Sequence, residues 1–184
     1  MKWLSGAQSR AIKELQAEAK ELRDLVRASV EEDLANTPIR RVERWLKKGE
    51  MKVGDDEIAA QAGHRLNMEI VKAMFPEGAI AGRIDFAKLG RGKNALAAST
   101  GTQHPDDVAA LANEQFGGEF RNGEDLVRQL IDMPPFEEEV AQLTDLQMLE
   151  EHGDLATPEA IAKAADVAIH NDAHLKMLAT ELWA

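Results

Sequence analysis

Three features of the 184-residue chain predict an all-α fold. Apolar residues recur at spacings of three and four over long stretches, the period of one helix face. Helix starts recur at Thr37-Pro38, His104-Pro105 and Thr157-Pro158, where a polar residue precedes a proline suited to the first helical position. No stretch sustains the two-residue alternation of a half-buried strand, and Lys52-Val53 or Glu119-Phe120 would form a bridge at most. The expectation is a multi-helix bundle of about seven to nine helices, several of them short and capped, with a long N-terminal helix and a long C-terminal helix. Its parts are an N-terminal amphipathic arm, 1–36, and a helical domain, 37–184.

Composition narrows the class. With 44% hydrophobic residues there is enough for a core, and with no Tyr that core must be built mainly of Ala, Leu, Ile, Val and Met. The absence of Cys excludes disulfides, thiolate metal sites and a cysteine nucleophile. The opening residues Met1-Lys2-Trp3-Leu4-Ser5-Gly6 hold no apolar h-region, so no signal peptide is expected, and no run reaches the roughly 18 apolar residues of a membrane span. Charge is uneven. Residues 1–50 carry 11 Lys+Arg and 9 Asp+Glu, while 104–184 carry 4 and 18, a net of −14. The C-terminal half should repel nucleic acid and anionic lipid, so DNA contact belongs to the front half alone.

The first helix is expected over 7–34. Ile12, Leu15, Ala19, Leu22 and Val26 follow a 3-4-3-4 seam, and Lys20 with Asp24 and Arg27 with Glu31 can pair one turn apart. The seam suits self-association, or packing of the helix on its own domain; two heptads are short for a sustained coiled coil, which favours the latter. Thr37 and Pro38 then start a helix whose inner face is Ile39, Val42, Trp45 and Leu46 and which Gly49 ends. Its other face carries Arg40, Arg41, Arg44, Lys47 and Lys48, a cluster able to hold phosphates or an acidic partner. Glu43 interrupts the cluster and no aromatic residues interleave with it, which favours a solvated face or one paired with the acidic half.

Residues 51–94 hold three short units of one form, an apolar residue, a small polar cap and a short helix: Val53-Gly54-Asp55, Leu66-Asn67 and Ile84-Asp85. Leu66 with Val71, and Ile84 with Leu89, occupy hydrophobic-staple positions around Asn67 and Asp85. Residues 90–103 are the most loop-like. Gly92-Lys93 does not make a phosphate loop: the motif's first glycine would fall at Ala87, Asn94 follows the lysine, and no strand precedes. A hinge or flexible loop is the plain expectation there. His104-Pro105-Asp106-Asp107 opens a helix with Val108, Leu111 and Ala112 inward, broken at Gly117-Gly118. Asn122 caps the next, with Leu126, Val127, Leu130 and Ile131. After Pro134-Pro135 comes a helix expected to turn Phe136, Val140, Leu143, Leu146 and Leu149 inward, ending at Gly153. The last helix, Thr157 to Trp183, has the broad face Ile161, Ala164, Ala165, Ala168, Ile169, Leu175, Leu178 and Leu182, and is expected to be the element the others cover.

Chemistry is sparse. His104 with Asp106 and Asp107, His152 with Asp154, and His170 with Asp172 are the residue types a metal would need in a chain without Cys, and would serve a metal-dependent hydrolase. His170 and His174 have zincin spacing, but Asn171 stands where the water-activating Glu would be. The plain alternatives are helix-start and helix-end roles for His104 and His152. Glu137-Glu138-Glu139 and Glu150-Glu151 suit solvated faces, and no Gly-x-Ser-x-Gly is present. No cofactor, metal or catalytic residue is therefore assigned.

Several pieces in order carry a family resemblance: Thr37-Pro38-Ile39 with Val42, Trp45, Leu46 and Gly49; His104-Pro105-Asp106-Asp107-Val108-Ala109; Leu130 with Pro134-Pro135; Met148-Leu149-Glu150-Glu151-His152-Gly153-Asp154; Ala168-Ile169-His170-Asn171-Asp172-Ala173; and Leu178-Ala179-Thr180-Glu181-Leu182. Over about 37–184 the chain resembles a helical segment recurring in the long polyvalent virion proteins of tailed phages and prophages, often packaged in the head or ejected with DNA. The resemblance implies a helical, non-enzymatic structural or interaction module. Its partners would be other virion proteins or a second copy of itself, and its location the bacterial host cytoplasm or the virion. In such proteins the segment usually lies between enzymatic domains; this chain departs from them in being short. The rival functions are nucleic-acid contact through the basic helix, with Arg91 and Lys93 added, and hydrolysis at the His-Asp pairs.

Overall fold

The computed structural model describes residues 2–49, 51–53, 56–58, 64–76, 84–90 and 94–182. It is all-α: seven α-helices among the described residues, beside two short two-stranded pairings. The chain forms two compact units, one of residues 1–32 with 135–184 and the other of 33–134. The expected division into an arm of 1–36 and one domain of 37–184 differs from this. The N-terminal helix has a stripe to bury, and it belongs with the C-terminal helices that can bury it.

In the first unit, helix α1 (Lys2–Ala35) is 34 residues, starting earlier than the apolar seam. Two further helices, α6 (Phe136–Glu151) and α7 (Pro158–Leu182), are joined by a 3-10 turn, Gly153–Leu155. Arg27 meets Glu137 at 2.6 Å, and Arg23 meets Asp145. Moving back along α1 thus advances along α6, so the two run antiparallel. The seam is turned inward: Ala19 and Val26 are buried, and Ile12, Leu15 and Leu22 half-buried. Beyond Val26 the buried positions step by four, to Val30 and Leu34. That breaks the 3.5-residue heptad in favour of the 3.6 period of a helix lying on its own domain.

Two sequence expectations fail in this unit. Helix α6 buries Val140, Thr144 and Met148, at 0%, 2% and 1% exposure, while Leu143, Leu146 and Leu149 face out at 39%, 56% and 58%. The helix is apolar on two sides and only one can turn inward. At about 100° per residue, Glu137 lies on the Val140 side, where Arg27 receives it. The Thr144 hydroxyl meets its own need inside by donating to Val140 O at 2.7 Å. Nor do the largest fully buried side chains among the described residues include any on the last helix. Thr157 caps it, accepting from Ala160 N at 3.1 Å, and Ile161 and Ala165 are buried, but Ala168 is exposed. The side chains of Leu175, Leu178 and Leu182 lie outside the described residues.

The principal core is in the second unit, which holds nine of the eleven largest fully buried side chains among the described residues. Helices α2 (Pro38–Lys48), α4 (Pro105–Phe116) and α5 (Gly123–Asp132) supply Val42, Leu46, Val108, Ala112, Leu126 and Val127 to it. Gly49, in the left-handed region at φ 71°, ends α2. The short helix α3 (Met68–Met74) starts as expected: Asn67 accepts from Glu69 N and Ile70 N, and Leu66 and Val71 are fully buried around it. Asp85 likewise accepts from Ala87 N and starts a 3-10 turn, Phe86–Leu89, with Leu89 fully buried.

The first of the three short units is not helical. Strands β1 (Met51–Val53) and β2 (Asp56–Ile58) pair antiparallel, Val53 opposite Asp56, so only Gly54-Asp55, outside the described residues, separate them. A two-residue Gly-Asp connection is a hairpin signal. Residues 94–103 are no free loop either. Strands β3 (Leu66–Asn67) and β4 (Ala97–Ala98) pair in parallel, Leu66 N donates to Leu96 O, and Asn67 N donates to Gln103 O. Gly101 lets this strap approach: a Cβ there would stand 2.2 Å from Leu66 O.

Candidate functional site

The basic face of α2 is mostly spent inside the protein. Arg40 is 3% exposed; its guanidinium donates to Glu43 at 2.9 Å and to Pro134 O at 2.7 Å. Its placement on an outward cationic face is thus corrected: at helical spacing it belongs beside Glu43 and the end of α5. Glu43 does not interrupt the cluster but organises it, taking Lys47 on its other oxygen at 2.5 Å. Burial pushes the Glu43 carboxyl up, but hydrogen bonds from Lys47 and Arg40 outweigh this and hold it below its ordinary 4.5. Arg41 is half-buried, its guanidinium carbon 4.3 Å from the Phe116 ring centroid on α4. Arg44 reaches Ala35 O at 3.3 Å, leaving Arg44 and Lys48 as the exposed cations of the five. Arg91 and Lys93 lie outside the described residues.

The histidines mostly serve the helices. His104 caps α4: its Nδ1 accepts from Asp106 N at 3.2 Å, and Asp106 accepts from Gly123 N at 2.6 Å, tying the start of α4 to that of α5. Asn122 and Asp125 cap α5 reciprocally, Asp125 N donating to Asn122 and Arg121 N to Asp125. His152 follows α6, 3.9 Å from Glu151, and His170 is exposed on α7. The side chains of Asp154, Asp172 and His174 lie outside the described residues. Among those described, no group of three or more His, Asp or Glu is gathered as a metal would require.

What remains is the outer face of α6. Leu143, Leu146 and Leu149 stand outward on a helix fastened on its other side by Arg23 and Arg27. Glu138 and Glu150 are exposed beside them, and α6 carries six carboxylates and no Lys or Arg. Together the three leucines make an exposed apolar patch on one helix. Sequence reasoning had these residues but put them inside. The side that turns inward is the one that meets α1 along Arg27 and Glu137, an exposed pair 110 residues apart that no local pattern displays.

On the inner side of the same end of α6, an open cleft of about 240 Å³ is lined by Ala19, Lys20 and Arg23 of α1, Met148 of α6 and Pro158 and Ile161 of α7. Its apolar floor is the meeting point of the three helices. Of the seam residues Ile12, Leu15, Ala19, Leu22 and Val26, Ala19 lines this floor, and Ala19 and Val26 are buried within the one chain. Among the described residues no helix is long and apolar enough to cross a membrane. No protein-family model, curated protein or solved structure matches the chain.

Proposed function

We propose that this protein is a non-enzymatic protein-interaction module, and that its setting is the virion-associated one implied by the resemblance to polyvalent phage proteins. The observation that carries the interaction reading is the outward leucine face of α6, exposed on a helix whose opposite side is buried and ion-paired. Exposed single leucines are ordinary on a protein surface, but three on successive turns of one helix favour a docking surface. Several polar side chains that could otherwise serve chemistry are taken up by the fold: Asp85, His104, Asp106 and Asp125 accept from backbone N–H groups at helix starts, and Glu43 holds two cations. The virion setting rests on the resemblance alone.

The test is particle association. The tagged chain is expressed in a bacterial host producing tailed phage, and particles are banded by density. The chain is expected in the particle band at a fixed ratio to capsid protein. A chain left wholly in the supernatant would overturn the virion setting.

A further inference from the structure

We propose that the outward face of α6 receives a basic amphipathic helix from a partner protein, with the partner's apolar side on Leu143, Leu146 and Leu149 and its lysines or arginines on Glu138 and Glu150. The inference rests on the interaction-module reading and names its partner.

Geometry supplies the shape. At about 100° per residue and 1.5 Å of rise, Leu143, Leu146 and Leu149 span roughly 120° of the helix surface over about 9 Å. That is a ridge matched to one face of another helix, the recognition mode in which residues three and four apart anchor in an apolar groove. Glu138 lies before the ridge and Glu150 after it, both exposed. The inner carboxylates Glu137 and Asp145 already have Arg27 and Arg23.

Charge selects the occupant. A second copy would lay one carboxylate-bearing ridge against another, on chains each of formal net charge −11. Like charges at an interface rim suppress pairing, and opposite ones speed and orient it. An anionic lipid surface is repelled for the same reason. A helix with cationic flanks satisfies both parts of the surface.

The experiment uses the full chain and fluorescent peptides of about 18 residues, five helical turns. One peptide has leucine at heptad a and d positions and lysine elsewhere, the second has the same composition with leucines scattered, and the third has glutamate for lysine. The lysine amphipath should bind at least about tenfold tighter than either control, and Leu146→Asp should cost about tenfold or more, the loss expected of a central anchor. Glu138→Lys with Glu150→Lys should weaken binding and flatten its salt dependence. Leu25→Asp, at an exposed leucine on α1, should leave it unchanged. The proposal is overturned if the scattered peptide binds equally, if Leu25→Asp weakens binding as Leu146→Asp does, or if light scattering shows a dimer that Leu146→Asp dissolves. Circular dichroism of each variant guards against unfolding, and Leu146→Ala serves should Leu146→Asp not fold. Failure of the peptide arms with particle association intact removes this face and partner while the module reading stands; peptide binding without particle association removes the virion setting alone.

Discussion

Replacing Arg40 with alanine should damage stability far more than replacing any other cation of the same helix. The side chain is 3% exposed, and its guanidinium holds two acceptors, Glu43 at 2.9 Å and Pro134 O at 2.7 Å. Removing it leaves a carbonyl without that donor and a carboxylate, itself only 16% exposed, held by Lys47 alone. Breaking one side of a buried, hydrogen-bonded charge pair costs about 3–5 kcal/mol. With a urea slope of about 1–3 kcal/mol per molar, the midpoint should fall by at least about 1 M. Arg41→Ala gives up the Phe116 ring contact at a half-buried site, about 1 kcal/mol. Arg44→Ala, at an exposed site, should stay within about 0.5 kcal/mol. The assay is urea unfolding followed by tryptophan fluorescence, Trp45 being packed against the core of this unit. Equal midpoints for Arg40→Ala and Arg44→Ala would refute the assignment. A practical corollary is that a triple alanine variant at 40, 41 and 44 confounds a test of nucleic-acid binding, because its loss of stability accompanies any loss of contact.

Glu43 gives a pH signature. Its folded carboxyl titrates below the ordinary 4.5, so its contribution is full above that value and is lost as pH falls through the lower folded one; Glu43→Gln should flatten this acid limb of the urea midpoint. For α6, Met148→Ala should cost about 2–5 kcal/mol and Leu146→Ala less than about 0.5 kcal/mol; the opposite ranking would restore the leucines to the core. Gly123→Ala should cost about 1–3 kcal/mol, because its Cβ would stand 2.5 Å from Asp106 N and from Pro105 C, backbone atoms that cannot step aside. An unchanged melting temperature for that variant would mean that the two helix starts are not in contact as described.

Local chemistry was the legible part. Asn67, Asp85, His104, Asn122 and Thr157 announce helix starts because a cap needs only a polar atom two or three residues from an orphan N–H. Thr37 is a partial case: it occupies the cap position, but its hydroxyl donates backward to Leu34 O. The pairing of β1 with β2 was legible too, in the Gly-Asp dipeptide between the two strands, a turn signal as well as a cap signal. Other features were not open to inspection of the chain. Arg40 reads as surface until Pro134 O, 94 residues away, is brought beside it. The leucine face reads as core until α1 is brought against the Val140, Thr144 and Met148 side of α6. In both, a partner distant in the chain decides what is buried, and such partners leave no periodic trace in the chain.

The pairing of α1 with α6 also sets a timetable for synthesis. Arg27 must wait for Glu137, 110 residues later. At roughly 5–20 residues per second, that is about 5–20 s on the ribosome. Meanwhile residues 33–134, a compact unit of their own, can collapse first. The N-terminal helix spends the interval with the stripe around Ala19 and Val26 uncovered. Neighbouring nascent chains on one messenger would meet through that bare stripe, so slowing translation between residues 36 and 135 should lower the yield of properly closed molecules.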